Sequence, residues 1–244
     1  MLRNKVILVT GGSSGLGFAV ARELALQGGE LIITGSRQDQ IEDAVAKLGF
    51  YAVGVVADVS KVTDIERLFK RIEITHGRVD VVVVMPDACK PVPLGEITES
   101  MFDRIINFNV KGVTFTVQAA LPLMGDGGSI VIIGDTAAAE SLDRMSLIHA
   151  ARAAVQSLVR GWINDIGSSG IRVNLLSTNS VDIASLQNAT QIGATDGPHS
   201  AGRGSKKSCK LQSEILQATA FLASDKSSDM NGLELFAGNT KFQH

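Results

Sequence analysis

Six short runs rich in valine and isoleucine, at 6–9, 31–34, 52–56, 79–84, 129–133 and 173–176, punctuate this chain. Each is apolar at nearly every successive position, so it suits a strand covered on both faces rather than one with a solvent side. The stretches between them, at 17–27, 38–48, 63–75, 101–121 and 147–166, are amphipathic and long enough to serve as crossover helices. Strand and helix alternate, which predicts an α/β fold: a doubly wound parallel sheet with helices on both faces. Ligands of such sheets sit beyond the carboxyl ends of the strands, so the loops that follow each apolar run are where chemistry is to be sought.

With 244 residues and 45% hydrophobic content, the chain suits one large core, and a single domain spanning 1–244 is expected. Nothing repeats at a solenoid period. One composition shift, at 187–210, is rich in Gly, Ser, Thr and Lys and reads as a mobile surface insertion over the site. It precedes a further helix at 211–223. A net charge of -2 provides no basic field for nucleic acid or an anionic membrane. The two cysteines, Cys89 and Cys209, have no metal-ligand or disulfide spacing, and the four histidines are scattered, so no metal is expected. The amino terminus runs directly into a strand without a leader pattern, and no apolar run reaches membrane-spanning length, so a cytoplasmic location is expected.

Thr10-Gly11-Gly12-Ser13-Ser14-Gly15-Leu16-Gly17 follows the first strand and opens the first helix. In that context glycines allow a tight turn, and the helix N-terminus offers free N–H groups and a positive dipole to a pyrophosphate. The string matches TGxxxGxG and resembles the short-chain dehydrogenase/reductase family, of classical type, whose Rossmann-type fold binds NAD or NADP. Other landmarks follow in order. Ala57-Asp58-Val59 is similar to the family's adenine-contacting turn, and Asn107-Phe108-Asn109-Val110-Lys111-Gly112 to its central helix segment. Phe221 to Asp225 and Gly232 to Phe236 resemble its C-terminal landmarks. The resemblance thus spans nearly the whole chain and implies cofactor contacts from Gly11, Ser13, Ser14, Gly15, Leu16, Gly17, Asp58 and Val59. After the second strand, Ser36 and Arg37 stand where NAD-preferring members carry a carboxylate, which suits the 2'-phosphate of NADP.

The same resemblance implies an eroded reaction centre. In the family a Tyr acts as general acid or base, a Ser polarises the carbonyl, and a Lys lowers the Tyr pKa and holds the nicotinamide ribose, together with an Asn. Aligned without insertions, the Ser position falls on Asp135, the Tyr position on Ile148 and the Lys position on Arg152; only Asn109 is retained. Isoleucine can neither give nor take a proton, and the one tyrosine, Tyr51, precedes the third strand. The family's Asn-Ala-Gly falls on Met85-Pro86-Asp87, its Pro-Gly on Thr178-Asn179, and a carboxamide-binding Thr on Ile183. Asp135 with Arg152 reads either as a new acid with an orienting cation or as an ion pair filling the cleft. Asn109 reads as a catalytic remnant or as a side chain satisfying the backbone of a distorted helix. His149 reads as packing or surface, and Cys89, beside Lys90, as inert.

From this pattern the sequence is expected to encode a catalytically inactive pseudoenzyme that binds NADP weakly or not at all. Its expected role is the non-catalytic subunit of a hetero-oligomer with an active family member, an NAD(P)-dependent dehydrogenase such as one of hydroxyacyl-CoA type. Family assembly implies contacts near Met101 and Leu147 and through the C-terminal strand and helix. The alternatives are an NADP-dependent oxidoreductase or a redox-neutral enzyme using Asp135 and Arg152, or an NADP(H)-sensing protein.

Overall fold

Alternate residues of a strand face opposite ways, and the apolar runs of this chain divide accordingly between two cores. The computed structural model describes residues 1–85, 92–135, 145–178 and 203–237, with the side chains of Asp135 and of 203–209 outside that description. The strands are β1 (Val6–Val9), β2 (Glu30–Gly35), β3 (Ala52–Val56), β4 (Val81–Val84), β5 (Ser129–Asp135), β6 (Arg172–Thr178) and β7 (Glu234–Ala237). They form one parallel sheet in the order β3-β2-β1-β4-β5-β6-β7. The expected doubly wound α/β architecture is what the chain adopts. The first six strands overlap the six apolar runs, and the seventh overlaps the C-terminal landmark at 232–236 and ends one residue beyond it.

On one face Ile7, Val9, Leu31, Ile33, Val81 and Val83 pack with α1 (Gly15–Leu26) and α7 (Arg203–Ala223). On the other, Val6, Leu8, Ile32, Val82 and Val84 pack with α3 (Val62–His76), α5 (Val113–Ala120) and α6 (Ser146–Ile166). Burial of each such side chain stabilises the fold by roughly 2 kcal/mol. The α3 helix illustrates the sequence logic: Ile65, Leu68, Phe69 and Ile72 recur at helical spacing, and these are its buried residues. The helix that follows β2 is α2 (Gln38–Leu48), anchored by Ile41 and Ala44.

Two expectations are corrected here. The helix read over 101–121 is interrupted: α4 (Glu99–Ile106) passes into a π-helical turn, Asn107–Gly112, before α5 begins. The turn is closely packed, since a Cβ at Gly112 would stand 2.6 Å from the Val59 carbonyl oxygen in the loop after β3. The insertion read over 187–210 is also too long, because α7 begins at Arg203. Among the described side chains of this helix Leu211 and Ile215 are buried, whereas the sequence over 203–210 is polar and carries no amphipathic signal. Residues 187–202 lie outside the described residues.

Candidate active site

The loop between β1 and α1 is shaped by one contact above all. Gly17 lies so close to the start of the turn that a Cβ on it would overlap the Gly11 carbonyl oxygen. Only glycine lets α1 begin directly over the end of β1, and that proximity aims the first N–H groups of α1 at the space beyond the strand. Thr10 locks the turn to the neighbouring strand: its Oγ1 accepts a hydrogen bond from the Met85 N–H at 2.9 Å, just past β4.

A cleft of about 620 Å³ opens over this turn, at the carboxyl edge of the sheet. Its floor includes Gly11, Ser13, Ser14, Gly15 and Gly17, and the turn after β2 adds Ser36. Asp58 and Val59, after β3, form a second wall, and Arg104, Asn107 and Phe108 close it from α4 and the π-helical turn. The volume lies within the range of small-molecule and cofactor pockets. Asp58 is held in place from its own loop: its Oδ1 accepts from the Ser60 hydroxyl at 2.6 Å and the Ser60 N–H at 3.1 Å. Burial pushes the Asp58 carboxyl upward, but these bonds and Lys61 outweigh it and keep its pKa below the ordinary carboxylate value.

Most of the cofactor residues read from the sequence therefore converge. Two stand apart. Leu16 is 1% exposed and anchors α1 in the core, so its side chain is not part of the lining. Arg37 is not among the described lining residues; its exposed guanidinium is engaged by Asp39, with Nε donating to Oδ1 at 3.1 Å and Nη2 to Oδ2. That bond and the charge of Asp39 raise the Arg37 pKa and lower that of Asp39. Sequence reasoning missed Arg104, although Arg104, Asn107 and Phe108 share the i, i+3, i+4 spacing that puts side chains on one helix face.

The second constellation surrounds the ends of β5 and β6. Asp135 ends β5 and pairs in register with Thr178, the last residue of β6. The reading of Asp135 with Arg152 as a pair depends on a carboxylate that lies outside the described atoms. Ile148 is buried with Ile105 and Ala151 in a small apolar cluster. Arg152, one turn further along α6, is buried; its Nη2 donates to the Ser177 Oγ at 2.6 Å and lies 3.9 Å from the Glu234 carboxylate. Asn109 donates from Nδ2 to the Ile105 carbonyl at 3.0 Å across the π-helical turn, the backbone-satisfying arrangement. His149 is 7% exposed, and neither ring nitrogen has a hydrogen-bond partner; burial lowers its pKa. Tyr51 is exposed at the amino end of β3, about 16 Å of strand from the cleft edge. Pro86, Asp87, Cys89, Lys90, Asn179 and Ile183 lie outside the described residues.

Sheet order, glycine turn and cleft together define a Rossmann-type α/β domain. A sequence profile of the family described as Enoyl-(Acyl carrier protein) reductase matches residues 11–238. The chain is 33% identical over 236 residues to the oxidoreductase asL5 of Sarocladium schorii, covering 96% of this chain and 94% of that protein. It is 33% identical over 183 residues to dehydrogenase/reductase SDR family member 4 of Bos taurus, covering 72% of this chain and 65% of that one. Among solved structures, a short chain dehydrogenase from Burkholderia cenocepacia J2315 in complex with NADP superposes with a TM-score of 0.80 at 26% identity, covering 97% of each chain. The chain belongs to the short-chain dehydrogenase/reductase family.

These relatives correct the functional expectation. The sequence reading favoured an inactive subunit because Ile148 falls where the family resemblance implies a tyrosine, and kept an enzyme using Asp135 and Arg152 as the alternative. A protein aligned over almost the whole chain is an oxidoreductase, and a second relative is a dehydrogenase/reductase. An aliphatic side chain at one position does not exclude proton transfer by another group, and Asp135, the acid of the alternative reading, ends the strand next to β6. Among the described residues no helix is long and apolar enough to cross a membrane, and no cluster of ligating side chains could hold a metal.

Proposed function

We propose that this protein is an NAD(P)-dependent oxidoreductase acting on a carbonyl or alcohol substrate, with Asp135 and Arg152 in the roles that Tyr and Lys fill in the family. The observation that carries this reading is the glycine turn opening into a cleft walled by Ser36, Asp58 and Val59. A bound nicotinamide nucleotide supplies or accepts the hydride. The N–H groups at the start of α1 bind the pyrophosphate, and the cleft holds the adenosine half. NADP is favoured over NAD because the turn after β2 carries a hydroxyl and a guanidinium rather than a carboxylate.

At the far end, Arg152 contributes positive charge toward the nicotinamide ribose, and Asp135 in its acid form donates a proton to the carbonyl oxygen as carbon gains hydride. The carboxylate is then reprotonated from water. Ile148 contributes an apolar wall. We further assign the protein to the cytoplasm, since its two cysteines lack disulfide spacing. Self-association through α4 is part of this reading, because Met101 and Phe102 are exposed there, at 41% and 48%.

The test is Asp135→Asn. Turnover of a ketone substrate should fall by about a hundredfold or more, with NADPH affinity held within about twofold. Undiminished turnover would remove Asp135 as the acid.

A further inference from the structure

Arg152 is a buried cation on α6, and three side chains are organised around it, two from neighbouring strands and one from its own helix. Its Nη2 donates to the Ser177 Oγ at 2.6 Å, and the Ser177 hydroxyl in turn donates to the Glu234 Oε1. Arg152 and Glu234 are 3.9 Å apart, with side chains 6% and 22% exposed. Gln156, one turn beyond Arg152 on α6, donates from Nε2 to both Glu234 oxygens at 2.9 Å. Ser177 comes from β6 and Glu234 from the adjacent β7, two strands in parallel register.

This arrangement answers a physical problem specific to arginine. A lysine ammonium is a compact charge with rotatable donors, whereas a guanidinium is a rigid planar fork whose usefulness depends on the orientation of its plane. Pinning one nitrogen through Ser177 fixes that plane, and a carboxylate nearby offsets the desolvation of the buried charge. Gln156 keeps the carboxylate from rotating away. A group required only to neutralise Arg152 would need no hydroxyl between them.

We infer that Glu234, Ser177 and Gln156 are positioning residues that orient the Arg152 guanidinium toward the nicotinamide half of the bound nucleotide. The inference rests on the nucleotide-binding reading above and deepens it. Glu234 and Ser177 touch no nucleotide themselves; they act through Arg152.

The experiment compares two ligands by calorimetry: NADPH, and adenosine 2',5'-bisphosphate, which lacks the nicotinamide ribose. In Glu234→Gln, NADPH should bind about tenfold more weakly while the bisphosphate changes by less than about twofold, as expected for losing one charge-assisted orientation. Ser177→Ala should shift NADPH the same way by about threefold, and serves if Glu234→Gln fails to fold. In an Arg152→Ala background, Glu234→Gln should add nothing further, because its only route to the ligand has been removed. Equal weakening of both ligands, unchanged NADPH affinity, or a full additional loss in the Arg152→Ala background would each overturn the inference. Failure of the unmodified protein to bind either ligand would instead overturn the nucleotide-binding reading on which it stands.

Discussion

The two ends of the ligand edge solve their problems with opposite means. At β1 and α1 the work is done by absence: glycines leave room for backbone to approach backbone, and the lining is largely main chain and small side chains. At β6, β7 and α6 it is done by presence, with Arg152, Ser177, Glu234 and Gln156 joined in a buried polar network. The first kind of site tolerates almost no change at its key position, since no rotamer relieves a backbone overlap. The second can change identity as long as its members change together, because a buried charge needs a partner rather than a particular residue.

The sharpest way to break the comparison is Gly17→Ala. The added Cβ meets the Gly11 carbonyl, so the turn must open. We expect a loss of about 3 kcal/mol in chemical denaturation together with loss of NADPH binding. Wild-type stability and affinity would mean that the turn is not held by close approach.

A smaller effect separates the far end from its surroundings. His149 is buried with both ring nitrogens unpartnered, and burial lowers its pKa below the ordinary 6.5. The folded state therefore holds a neutral imidazole while the unfolded chain still takes up a proton. Stability from this group is complete above the ordinary value and is lost as pH falls toward the depressed one. His149→Leu should flatten that acid-side decline and raise stability by about 1 kcal/mol. Melting curves across the acid range that keep the wild-type slope in the variant would show that His149 is not its source.

The smallest effect concerns cofactor choice. Arg37 is exposed and already engaged by Asp39, so a 2'-phosphate must compete for it in water. Arg37→Ala should lower the preference for NADPH over NADH by less than about tenfold, read from paired titrations. A loss of several hundredfold would mean that Arg37 leaves Asp39 entirely and enters the cleft.

Much of the fold was legible because it rests on local signals. Doubly buried strands read as unbroken apolar runs, and Gly11 through Gly17 acquire meaning from the strand before and the helix after. The π-helical turn was not legible, since the close packing of Gly112 against the Val59 carbonyl is a non-local contact. Nor was the start of α7 at Arg203, where helix precedes any apolar face. At the site, residues belonging to a motif were found, and Glu234 was not, because its significance comes from β7 lying beside β6. The functional reading failed for a different reason: it gave more weight to the isoleucine at 148, where the family resemblance implies a tyrosine, than to the alternative acid Asp135 that the same sequence offered.

The most direct test of the central claim is label transfer from NADPH deuterated at the reactive carbon. Purified protein is incubated with a panel of ketones, including β-ketoacyl thioesters, and alcohol products are analysed by mass spectrometry. Deuterium at the carbinol carbon, absent when Asp135→Asn replaces the natural protein, is the predicted result. Bound NADPH with no label in any product would contradict it.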